Sequence, residues 1–127
     1  MSEMRNPLKR AKGLGSSKSG LPHWRAQRIT AVMLLLLIPW LIWSLLQLAG
    51  SGYPQAAAFI ADPINATLLI LVLLCMLYHA MLGLQVVIED YVHHHGLSLL
   101  LLFAIRIATA AGMIAGVVHV LKLVLGA

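Results

Sequence analysis

An all-α integral membrane protein with three transmembrane helices is the fold this sequence predicts, and three observations carry the prediction. Hydrophobic residues make up 61% of the 127 and charged residues only 10%, with a mean hydropathy of +0.91. A chain this short cannot enclose enough core to hide so much apolar surface from water. The apolar residues are also gathered into three runs, each long enough to cross a hydrocarbon layer about 30 Å thick. Basic residues, finally, gather at one end. Arg5, Lys9, Arg10, Lys12, Lys18, Arg25 and Arg28 all precede the first run.

In chain order, residues 1–28 read as a basic cytoplasmic segment and residues 29–127 as the membrane domain. Within the first segment, residues 13–20 are rich in Gly and Ser and read as an extended lead-in. The first span is expected at about 29–48. Its apolar stretch exceeds the 7–15 residues of a signal-peptide core, and no small-residue cleavage site follows Leu48, so it reads as a retained span. Gly50, Gly52, Pro54 and Pro63 mark residues 49–63 as a loop. The second span is expected at about 64–88, followed by a short polar loop at 89–96 and a third span at about 97–125. Because the first long loop carries no Lys or Arg, the basic end is expected in the cytoplasm. Three crossings then return residues 89–96 to the cytoplasm and leave the C-terminus outside.

The net charge of +5 belongs mostly to the N-terminal segment, whose natural partners are anionic headgroups or an acidic protein surface. Basic charge without a recognition fold is weak evidence for nucleic acid, which is not expected as a partner. Cys75 alone can neither close an intramolecular disulfide nor hold an iron–sulfur cluster, and no Gly-rich dinucleotide fingerprint is present. Any flavin or iron–sulfur centre would have to sit on another chain.

His79 carries the most information about function, since a titratable imidazole within an apolar span is costly and usually has a task. At about 100° per residue, Gly83 and Asp90 return to within about 40° of its direction on a helix. One stripe therefore holds a ligand-type nitrogen, a position with no side chain and a carboxylate. Asp90 and Tyr91 rise roughly 16–18 Å from His79, at the membrane surface if His79 is near mid-depth. Imidazole is a standard haem ligand, and a glycine one turn away lets a flat ring approach the backbone. An interfacial phenol can donate to a carbonyl, and a carboxylate can orient an arginine or relay protons.

Blander readings stand beside each of these. His79 could bond a carbonyl of a neighbouring helix, and Gly83 could serve helix packing alone. Tyr91 could be a belt aromatic, Asp90 a solvated charge and Arg28 a snorkelling cation. The run His93-His94-His95 reads as a hydrated interfacial loop, because adjacent residues on a helix diverge too far to face one ion. His119 is expected at the outer interface or in a bond between helices, and Arg106 is deep enough to need an anionic partner. Trp40 and Trp43 read as belt or packing residues.

The pattern His79-x3-Gly83-x6-Asp90-Tyr91, with His23-Trp24-x2-Gln27-Arg28-x-Thr30-Ala31 leading into the first span, resembles the small membrane-anchor chains of succinate dehydrogenase, respiratory complex II, in their proteobacterial form. The resemblance covers nearly the whole chain. It implies that His79 is one axial ligand of a haem b shared with a second anchor subunit, the cytochrome b chain. It implies that Arg28 faces a haem propionate, that Tyr91 bonds a ubiquinone carbonyl and that Asp90 holds a basic residue beside that quinone. It further implies flavoprotein and iron–sulfur subunits docked on the cytoplasmic side of a bacterial inner membrane, carrying FAD, the clusters and the succinate site. The residues themselves leave open a fumarate reductase anchor working with menaquinone, or a structural membrane protein without redox function.

Overall fold

A computed structural model describes residues 20–126, and all its regular structure is helical. Helix α1 runs over Gly20–Leu48, α2 over Tyr53–Ala61, α3 over Pro63–Tyr91 and α4 over His95–Leu125. The three long helices, α1, α3 and α4, are each long and apolar enough to cross a membrane. At 29 residues, α1 and α3 each extend about 43 Å, beyond a hydrocarbon thickness of about 30 Å. Each therefore carries a turn or two of helix out of the apolar layer.

That surplus changes how the chain ends are read. Helix α1 starts at Gly20, well before the membrane entry expected at 29, so His23, Trp24 and Arg28 lie on the same continuous helix as the span. Pro22 does not prevent this, because a proline in the first turn removes an N–H that has no intrahelical acceptor. Apart from Gly20, the lead-in expected at 13–20 lies outside the described residues.

Two expected loops are largely helical. Within 49–63, the turn is confined to the residues around Gly50, whose φ of 82° suits glycine, and α2 follows with a proline at its start. The run Ala56-Ala57-Ala58 favours helix once Pro54 has set the first turn. Trp40 stacks on Phe59 with ring centroids 6.5 Å apart, and the Asn65 side-chain amide donates to the Phe59 carbonyl at 3.1 Å. These contacts hold α2 against the ends of α1 and α3. Within 89–96, α3 continues through Glu89 and Asp90 to Tyr91, leaving only residues 92–94 between helices.

Local chemistry explains these sharp boundaries. The Asp62 carboxylate accepts the backbone N–H groups of Ile64 and Asn65 at 3.1 and 3.0 Å, and Pro63 occupies the first turn of α3. Helix α4 is capped in the same way by His94, whose Nδ1 accepts the Leu97 N–H at 3.2 Å. The middle of the His93–His95 run is thus a capping residue.

Helix α3 packs against both α1 and α4, and it contains most of the buried apolar residues: Ala66, Val72, Cys75, Leu82 and Ile88. Its two sides are built differently. Toward α4, Leu73 and Leu77 sit against Gly116 and Gly112, with one leucine and one glycine per turn in antiparallel register. A Cβ at Gly116 would collide with Leu73, while one at Gly112 would meet Leu77 at 3.4 Å. Gly112 and Gly116 form a small-x3-small pair of the kind that brings membrane helices into close contact. Toward α1, Cys75 Sγ lies 3.8 Å from Met33 Sδ, and the packing becomes polar one turn further along.

Candidate functional site

A groove of about 560 Å³ lies between α1 and α3, along the N-terminal half of α1 and the C-terminal half of α3. Its floor is built from both helices. From α3 come His79, Gly83 and Val86, spaced by one turn each; from α1 come Gly20, His23, Trp24, Gln27, Arg28 and Ala31, again at helical spacing. The volume falls within the usual range of about 300–1,000 Å³ for ligand pockets.

His79 is half-buried at the base of this groove, and its ring is tied to α1. Its Nδ1 lies 2.9 Å from the hydroxyl oxygen of Thr30, which is itself only 8% exposed. The Thr30 oxygen is also 2.9 Å from the Ala26 carbonyl and 3.1 Å from the Gln27 carbonyl, the pattern of a helix threonine bonding back to its own preceding turn.

Gly83 leaves open the space beside this imidazole. A Cβ built there would have as its near neighbour only the Gln27 amide nitrogen, at 3.8 Å, so the chain itself does not require a glycine at this position. Arg28 stands over the Trp24 ring at 5.7 Å from its centroid, within cation–π range, which steadies the guanidinium at the groove edge. His23 Nε2 is buried and has no hydrogen-bond partner among the described residues.

The structure therefore brings together three of the predicted site residues, His79, Gly83 and Arg28, on one groove. Asp90 and Tyr91 lie beyond it at the end of α3; both are exposed, Tyr91 by 77%. Glu89 beside them accepts from the Gln85 side-chain amide at 2.8 Å on the same helix. Outside the groove, His119 Nδ1 donates to the Ala115 carbonyl at 2.6 Å, a bond within α4 and not between helices. Arg106 is exposed on α4, as is Trp43 on α1, whereas Trp40 packs on Phe59.

Gln27 and Thr30 enter the reading of the sequence only as parts of the motif that leads into the first span, with no role of their own, and Val86 does not enter it. The spacing Gly20, His23, Trp24, Gln27, Ala31 is nonetheless a helical stripe, and it extends the helix backward into residues that look like a polar lead-in. No cluster of three or more His, Cys, Asp or Glu side chains placed to hold a metal ion occurs among the described residues.

The helices and the groove define a class, a multi-pass all-helical membrane protein with an imidazole-bearing groove between two of its spans. The chain belongs to the succinate dehydrogenase/fumarate reductase transmembrane subunit family, which it matches over residues 2–123. It is 38% identical over 118 residues to the succinate dehydrogenase hydrophobic membrane anchor subunit of Rickettsia bellii, covering 93% of this chain and 94% of that relative. The Rickettsia conorii protein of the same name is 36% identical over 110 residues, 86% of this chain and 87% of its own. That of Paracoccus denitrificans is 31% identical over 85 residues, 67% of this chain and 66% of its own. No solved structure matches the chain.

Proposed function

We propose that this chain is the membrane anchor subunit of a succinate:ubiquinone oxidoreductase, that His79 would hold the iron of a haem b, and that the chain forms part of the ubiquinone reduction site. The observation that carries the proposal is the groove itself: a half-buried imidazole, an absent side chain and a cation at helical spacing along one opening between two spans. The residues fit the group. His79 Nε2 is the ring nitrogen left for iron when Nδ1 is engaged by Thr30, Gly83 gives a flat macrocycle access to the backbone, and Arg28 offers charge to a propionate. When bound, haem b supplies a one-electron store near the quinone path.

Tyr91 and Asp90 act a few turns along, where a quinone head group can meet the end of α3 while its isoprenoid tail stays in lipid. The Tyr91 hydroxyl donates to a quinone carbonyl, a bond that strengthens as the oxygen gains negative charge. Asp90 orients a basic residue of a neighbouring subunit and holds a proton route to that oxygen. The partners are a second anchor subunit giving the other haem ligand, an iron–sulfur subunit and a flavoprotein, and FAD, the clusters and the succinate site lie on those chains. The membrane is the bacterial inner membrane, with the N-terminus cytoplasmic and the C-terminus periplasmic. Reporter fusions at Ala127 should score as periplasmic; a cytoplasmic score would overturn the orientation.

A reduced-minus-oxidised optical spectrum of the purified complex tests the haem assignment. The native complex should show a low-spin b-type spectrum, and His79→Ala should abolish or grossly perturb it. An unchanged spectrum in His79→Ala at normal abundance would remove His79 as the ligand.

A further inference from the structure

The hydroxyl of Thr30 has three polar neighbours and one hydrogen. Two of the neighbours, the Ala26 and Gln27 carbonyls at 2.9 and 3.1 Å, can only accept. The third, His79 Nδ1 at 2.9 Å, can accept or donate according to the tautomer of the ring. If Thr30 gives its hydrogen to the imidazole, its own turn of α1 forfeits the bond back to those carbonyls, and the proton of the neutral ring must sit on Nε2. If Thr30 gives its hydrogen to its own helix, its oxygen is left as an acceptor, and the imidazole must carry its proton on Nδ1 to fill it. Only the second arrangement lets the hydroxyl serve as donor and acceptor at once, and it leaves the Nε2 lone pair bare.

We infer that Thr30 is a positioning residue for His79: its hydroxyl, anchored to the α1 backbone, accepts the Nδ1–H and so selects the tautomer, ring angle and donor strength with which Nε2 meets iron. The inference rests on the haem assignment above. The residue is buried, which removes water as a substitute acceptor, and it stands on a different helix from the ligand, so the bond also fixes the ring relative to α1. A metal-bound histidine commonly donates its second ring nitrogen to an outer partner that orients the ring and raises its basicity. A hydroxyl whose own hydrogen is committed to a carbonyl is polarised into a better acceptor, yet it carries no charge, so it strengthens the ligand less than a carboxylate would.

The test uses the intact complex with Thr30→Val, which keeps the branched shape and removes the hydroxyl, and Thr30→Ser, which keeps the hydroxyl. With its acceptor gone, the imidazole is a weaker donor and ferric haem loses stabilisation relative to ferrous haem. Thr30→Val should therefore shift the haem reduction equilibrium toward the reduced form by up to about tenfold, about 59 mV in a redox titration, and change the g-values of the oxidised low-spin haem. Haem retention under dilution should fall by about 10–100-fold, the usual effect of losing an outer-shell partner. Thr30→Ser should restore all three. A Thr30→Val complex with native potential and native g-values would overturn the inference, as would a Thr30→Ser complex that behaves like Thr30→Val. If Thr30→Val fails to accumulate, Thr30→Ala takes its place under the same expectations. Failure of both with recovery in Thr30→Ser supports the role, since His79 would be left unpaired in lipid, whereas failure of all three overturns it by assigning the site to packing. His79→Ala separates the two levels: if its spectrum is native, the ligand assignment falls, and if its haem is lost while Thr30→Val is native, only the role of Thr30 falls.

Discussion

The two sides of α3 show how one membrane helix can be both a structural seam and half of a site. On the α4 side, leucines at 73 and 77 enter notches left by Gly116 and Gly112, and the surfaces close on each other. On the α1 side, beginning two residues after Leu77, an imidazole meets a threonine and the helices part into a groove. In lipid no hydrophobic force drives helices together, so close contact and hydrogen bonds must do it. The seam uses contact alone, and at Gly116 an added atom has to displace Leu73. The groove uses one hydrogen-bonded pair to hold its helices at a fixed spacing, which leaves room beside the pair. Glycine serves both sides in opposite senses: Gly116 is filled by the chain, and Gly83 is kept open by it.

Substitutions on each side should separate these roles, beginning with the largest effect. Tyr91→Phe removes a donor and keeps the ring at the open end of α3, so succinate-to-quinone turnover should fall by an amount equivalent to about 1.5–3 kcal/mol for a charge-assisted bond. Succinate oxidation with an artificial acceptor should be retained. Full quinone activity in Tyr91→Phe, or equal loss in both assays, would remove the tyrosine from the quinone site and leave it as an interfacial anchor.

The seam should respond in stability and not in chemistry. Gly116→Ala forces Leu73 out of its notch, an overpacking cost of about 1–3 kcal/mol that should lower the thermal stability of the complex while leaving the haem spectrum native. Leu73→Ala placed on the same chain should recover part of the loss. The smallest stability effect should come from Gly83→Ala, whose new methyl has ordinary clearance from Gln27, so stability should change by no more than about 0.5 kcal/mol. Its cost should appear instead as weaker haem retention. If Gly83→Ala destabilised the complex as much as Gly116→Ala, with haem held normally, the two sides of α3 would be the same kind of interface.

Much of this arrangement was legible from residue order. Apolar run length, a basic N-terminal end and the stripe His79–Gly83 depend only on helical period and transfer free energy, which act along the chain. Helix ends were less legible: residues 20–28 read as part of a basic polar segment, and residues 53–61 read as loop because Gly50, Gly52, Pro54 and Pro63 flank or begin them. There Pro22 and Pro54 occupy first turns, where proline is compatible with helix. The Gly112–Gly116 pair formed no part of the reading of the sequence, and nothing along the chain says that Leu73 and Leu77 fill it.

Sequence was sufficient for the number of spans and for the stripe that joins His79 to Gly83, because each follows from local composition and a 3.6-residue repeat. Which face of each span meets which neighbour was not encoded in that way. A helix that is apolar all round offers no contrast between an inner and an outer side, so rotation about its axis is set by shape and by a few polar pairs. The pairing of Thr30 with His79, 49 residues apart, is such a pair. It exists only once α1 and α3 are packed, and that packing turns an isolated imidazole into an oriented one.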